Sequence, residues 1–149
     1  MKTILLVEDS RFLRVANEKA LVRAGYRVVT AGDGEEALRL AHESEPDLIL
    51  LDMLLPKVGG PEVLRALRTT PQTARTPIVV LSSLPKSNEA QLKKDGATAY
   101  VDKSTLGLDQ HSESLVHIVK RILDEHNQQE GAVDRPSLPL QIASAEGKI

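Results

Sequence analysis

Five short apolar runs rich in Val, Ile and Leu punctuate the chain, at residues 4–7, 27–31, 47–51, 78–82 and 98–102. Each is too short for a helix and lacks strict alternation, so each reads as a strand buried on both faces. Between them the apolar spacing changes to the helical period: Leu13, Ala16, Ala20, Leu21 and Ala24, then Ala37, Leu38 and Ala41, then Val63, Leu64 and Leu67. Leu115, Ile118, Val119, Ile122 and Leu123 form the cleanest stripe, whereas 86–95 offers only Ala90 and Leu92, two positions apart, and predicts a loosely held helix. Strand and helix alternate five times, which predicts a parallel sheet covered by helices on both faces. Gly25, Pro46, Pro77 and Gly96 fall at the predicted boundaries.

The periodicity stops near residue 127. Residues 128–149, with Gly131, Pro136, Pro139 and Gly147 and no apolar repeat, read as a disordered tail behind a single domain of residues 1–127. A length of 149 residues fits one domain. With 19 basic and 21 acidic residues the formal net charge is −2, which gives no bulk attraction to nucleic acid or anionic lipid. The chain has no cysteine, so disulfides, thiolate zinc sites and a cysteine nucleophile are excluded. No apolar run is long enough for a signal h-region or a membrane span, and the expected location is cytoplasmic.

In an open parallel sheet ligands bind at the carboxyl ends of the strands, beside the point where strand order reverses. The predicted strands end in polar residues: Glu8 and Asp9, Asp52, Ser82 and Ser83, and Asp102 and Lys103. In the flavodoxin-like, doubly wound order 2-1-3-4-5 the first and third strands are neighbours, so Glu8, Asp9 and Asp52 converge. Three crowded carboxylates either retain a proton or bind a hard cation, for which Mg²⁺ is the natural choice without thiols or clustered histidines. Lys103 supplies an ammonium that, with the metal, suits phosphoryl chemistry. A competing motif, Gly32-Asp33-Gly34-Glu35-Glu36-Ala37, fits the dinucleotide fingerprint in letters. Its three carboxylates would face a pyrophosphate, however, so it reads better as a turn with acidic first-turn residues.

Glu8-Asp9, Asp52 with Pro56 four residues on, Gly60, Ser82, and Lys103 with Tyr100 three residues before it together resemble the receiver domain of two-component response regulators. The resemblance implies that Asp52 accepts a phosphoryl group from a histidine kinase or phosphotransfer protein. It implies further that Asp9, Asp52 and the backbone carbonyl of Leu54 ligate Mg²⁺, with Glu8 acting through a water. Ser82 and Lys103 would contact phosphoryl oxygens, and Ser82 with Tyr100 would form a switch. The expectation is a stand-alone receiver that catalyses only its own phosphorylation and dephosphorylation and signals to a downstream protein, as a monomer or a phosphorylation-dependent dimer. The alternative is a pseudo-receiver or scaffold that binds partners without phosphorylation. One departure from the family is Ser104, which follows Lys103 where proline is usual.

Overall fold

The computed structural model describes residues 1–83, 89–103 and 111–137, with 111–113 and 129–137 described for their backbone alone. Two compact units divide at Val119 and Lys120. The first contains β1 (Thr3–Val7), α1 (Arg11–Arg23), β2 (Arg27–Ala31), α2 (Gly34–Ser44), β3 (Leu48–Asp52), α3 (Gly60–Thr69), β4 (Ile78–Ser82), α4 (Glu89–Lys94), β5 (Ala99–Asp102) and the start of α5 (His111–Ser137). The second is helical to Ser137. Helix therefore runs through 128–137, where the sequence pattern predicts the start of a tail. Gln128, Gln129, Glu130 and Ala132 are good helix formers, and no proline precedes Pro136.

The sheet is parallel throughout, in the order β2-β1-β3-β4-β5. The three inner strands are completely buried, as their unbroken apolar runs require. The two edge strands depart from the expected burial: β2 is largely half-exposed and β5 half-buried along its length, because each has a neighbour on one side only. Side chains alternate across the inner strands. Leu5, Val7, Ile49, Leu51, Ile78 and Val80 share one cluster with Ala37 and Ala41 of α2, Val63, Leu64 and Leu67 of α3 and Leu92 of α4. The alternate residues Ile4, Leu6, Leu48, Leu50, Val79 and Leu81 face the other way, where Ala20, Leu21, Leu115 and Val119 are also buried. Each of the buried Val, Leu and Ile side chains contributes about 1.5 to 3 kcal/mol through burial.

The stop signals act as the sequence suggests. Gly25 and Gly96 take positive φ values of 102° and 117° behind α1 and α4, a region open to glycine. Leu92 is the one buried side chain of α4, which accords with its weak pattern. At the amino ends of β4 and β5, the half-buried Arg68 of α3 donates to the carbonyl oxygens of Gly96 (2.8 Å), Thr73 (3.0 Å) and Thr76 (2.6 Å). Burial pushes its guanidinium pKa down, and these carbonyls supply it with acceptors.

Gly60 opens α3 directly against the strand that carries Asp52: a Cβ there would lie 2.5 Å from the Met53 Cα and 2.7 Å from its carbonyl oxygen. Gly60→Ala must therefore move backbone, at an expected cost of about 1 to 3 kcal/mol. Urea unfolding checks this; an unchanged midpoint contradicts the close approach.

Candidate phosphoacceptor site

Sheet register sets the site. Val7 pairs with Leu51, so Glu8 and Asp52 follow side by side off two adjacent strands. Asp52 pairs with Leu81 and Ser82 with Asp102, which places Ser82 one step and Lys103 two steps further along the same edge. Glu8, Asp9 and Asp52 present carboxylate oxygens that all lie within 4.8 Å of one another. Glu8 and Asp52 are buried, at 1% and 3% exposure, whereas Asp9 is exposed.

Lys103 reaches over the end of β4 and places its Nζ 3.0 Å from Glu8 Oε1 and 3.0 Å from Asp52 Oδ2. One ammonium thus bridges two buried carboxylates. Desolvation works against the charged lysine, but hydrogen bonds to Asp52 and Glu8 outweigh it and raise its pKa. A single positive charge cannot neutralise both acids. Burial, followed by the hydrogen bond and like charge of Asp52, pushes the Glu8 carboxyl up to about 7 despite Lys103. The donor set is therefore all oxygen, crowded and short of positive charge, which fits a hard divalent cation such as Mg²⁺.

Loop contacts hold these groups in place. The Ser10 N–H donates to Glu8 Oε2 at 3.2 Å, and Ser10 also caps α1 through its Oγ, which accepts from the Leu13 N–H. Arg14 Nη1 donates to the Glu8 carbonyl at 2.8 Å and the Asp9 carbonyl at 3.5 Å, hooking the turn between β1 and α1. The Leu54 N–H donates to Asp52 Oδ1 at 3.1 Å. Leu54 itself is 56% exposed. Ser82 is fully buried, and Tyr100 is half-buried against the core cluster.

The structure thus brings Glu8, Asp9, Asp52 and Lys103 together and aligns Ser82 on the same sheet edge. The peptide from Lys103 to Ser104 involves a residue outside the described ones. Arg14 was not singled out by sequence, and the signal it leaves is slight: a basic residue five positions after an acidic pair. The glycine motif at 32–34 is a helix start. Asp33 Oδ1 accepts the Glu36 N–H at 2.8 Å, and Glu36 Oε1 accepts the Gly32 N–H at 2.8 Å, so local carboxylates occupy the donors that a pyrophosphate would need.

Comparison with known proteins agrees with this geometry. The family model of the response regulator receiver domain matches residues 4–120. The transcriptional regulatory protein AfsQ1 of Streptomyces coelicolor is 41% identical over 108 residues, 72% of this chain and 47% of that protein. The polar-differentiation response regulator DivK of Brucella anthropi is 32% identical over 68% of this chain and 84% of its own length. Among solved structures, the chemotaxis protein CheY4 of Vibrio cholerae superposes with a TM-score of 0.73 at 34% identity, covering 81% of this chain and 98% of that one. The chain spans about half the length of AfsQ1, so that regulator's further activities are not carried over. Among the described residues, no helix is long and apolar enough to cross a membrane. With the sheet order, the acidic edge and the bridging lysine in place, the chain belongs to the response regulator receiver domain family of two-component signalling.

Proposed function

We propose that Asp52 accepts a phosphoryl group from a phosphohistidine on a histidine kinase or phosphotransfer protein. The observation that carries this reading is the convergence of three carboxylates within 4.8 Å with the Lys103 ammonium 3.0 Å from Asp52. One Asp52 oxygen attacks phosphorus as the phosphorus–nitrogen bond breaks. The electron pair leaves with the imidazole nitrogen, and an acyl phosphate forms. In the reverse direction of signalling, water attacks the same phosphorus, releases inorganic phosphate and restores the carboxylate.

Asp9, Asp52 and the Leu54 carbonyl would hold Mg²⁺ directly, with Glu8 acting through a water. The ion supplies charge neutralisation for the phosphoryl oxygens when bound. Lys103 pairs with one phosphoryl oxygen and the Ser82 hydroxyl donates to another. Tyr100, half-buried beside the core, follows Ser82 inward and changes the surface of β5, a shift between two packings rather than a new fold. The chain catalyses only this gain and loss of phosphate, and its output is a contact with a downstream protein.

Incubation with acetyl phosphate and Mg²⁺ is expected to add one phosphoryl mass to Asp52, labile to hydroxylamine. Asp52→Ala folds and takes up none. A wild-type chain that stays unmodified overturns the reading in favour of a scaffold that binds partners without phosphorylation.

Glu8 gives the site a pH dependence of definite sign. Its carboxyl holds a proton more tightly in the folded chain, at about 7, than at the ordinary value of 4.5. Its contribution to metal-free stability is therefore fully present below about pH 4.5 and lost as pH rises through about 7. Mg²⁺ requires ionised carboxylates, so the gain in melting temperature on adding it should be larger at about pH 8 than at about pH 5.5. Glu8→Gln should flatten the metal-free slope. Equal Mg²⁺ gains at both pH values in the wild type contradict the assignment of Glu8.

A further inference from the structure

The loop that leaves β3 carries the Leu54 carbonyl, and the packing of Leu54 does not hold it, since that side chain is 56% exposed. Its two ends are fixed. The Met53 N–H donates to the Leu81 carbonyl at 3.0 Å, and Gly60 presses against the Met53 backbone. The middle of the loop, Pro56 to Val58, rests on the start of α2. The Gly34 N–H points to the Pro56 carbonyl at 3.4 Å, and the Val58 carbonyl lies so close over Gly34 that no Cβ fits there. Lys57 takes a φ of 67°, an unfavourable region for a residue with a side chain. Its Nζ lies 3.6 Å from Asp33 Oδ2.

Asp33 is a rigid anchor for that lysine. Its other oxygen, Oδ1, is fixed by the Glu36 N–H as the cap of α2. That N–H first, and the Lys57 charge after it, hold the Asp33 carboxyl below the ordinary carboxylate value. We infer that Asp33 and Lys57 are positioning residues: their ion pair straps the loop to α2 and holds the Leu54 carbonyl where a divalent cation is ligated. The inference rests on the reading of the site as an Mg²⁺-dependent phosphoacceptor and adds the residues that aim its one backbone ligand.

Two magnitudes separate this role from simple stabilisation. The Lys57 side chain is 59% exposed, and exposed pairs contribute little to global stability. Mg²⁺ demands nearly ideal octahedral geometry, so a ligand allowed to drift by a fraction of an ångström weakens binding. Loss of partners behind the ligands typically costs about tenfold or more in metal affinity, and an exposed strap belongs at or below that end, about threefold to tenfold.

The test is calorimetric titration of the full chain with Mg²⁺, alongside thermal melts in EDTA. Lys57→Met removes the charge, Asp33→Asn removes it while keeping a good helix cap, and Lys57→Gly removes the pair while easing the positive φ. All three are expected to weaken Mg²⁺ binding by about threefold to tenfold, while Lys57→Arg stays near wild type. Metal-free melting temperatures should move by less than about 3 °C. Wild-type Mg²⁺ affinity in Lys57→Met and Asp33→Asn overturns the strap. So does wild-type affinity in Lys57→Gly, which would assign the effect to the turn, or a loss of affinity that tracks metal-free melting. A wild-type chain that binds no Mg²⁺ overturns the functional reading, and the strap with it.

Discussion

Two buried carboxylates, Glu8 and Asp52, leave adjacent strands side by side, with Asp9 next to them, and the ammonium of Lys103 lies between the buried pair at 3.0 Å from each. Burying like charges together is costly unless a counter-charge or a proton offsets it. One lysine offsets part of this cost, yet burial first, and the neighbouring Asp52 after it, still raise the Glu8 carboxyl. The site is therefore charge-deficient by construction. A divalent cation would find under-compensated carboxylates there, and an anionic phosphoryl group would be accommodated only with that cation bound beside Lys103.

The surrounding structure serves to keep those carboxylates close. The fully buried inner strands fix register, so Glu8 and Asp52 cannot slide apart without moving Ile4, Leu6, Leu48 and Leu50 out of the core. The turns after β1 and β3 are then held by separate devices: Arg14 on the carbonyls of Glu8 and Asp9, and Gly60, Gly34 and the Lys57–Asp33 pair around the loop of Leu54. Ser10 contributes to both levels, since it caps α1 and also donates its N–H to Glu8.

The three inner strands were legible because burial on both faces leaves an unbroken apolar run, and the half-exposed edge strands were legible through their β-branched residues between helical segments. The predicted third and fifth runs begin one residue early, at Asp47 and Thr98, because polar side chains there bond across strand starts. Asp47 Oδ2 accepts the Thr3 N–H at 2.7 Å, and Thr98 Oγ1 accepts the Ile78 N–H at 3.0 Å. Glu8, Asp9, Asp52 and Lys103 were legible as residues at strand ends once the strand order was inferred. The Glu8–Lys103 pair was not, for its members are 95 positions apart and meet only because a lysine is long enough to cross β4. Lys57 and Asp33 were equally hidden: neither sits in a periodic pattern, and each has an ordinary local reading as a loop cation or a helix cap. Composition and period reveal which elements exist, while side-chain partners across elements depend on distances that only the folded chain defines.

Under the proposed function Asp52 is the acceptor, and Lys103 moves from bridging two acids to pairing with the incoming group. A crystal structure grown with Mg²⁺ and beryllium fluoride tests both parts at once. The expected result is a trifluoroberyllate bonded to an Asp52 carboxylate oxygen, an ion on Asp9, Asp52 and the Leu54 carbonyl, and Lys103 Nζ on a fluoride rather than on Glu8. Asp52 left bare, with Lys103 still held between Glu8 and Asp52, contradicts the account.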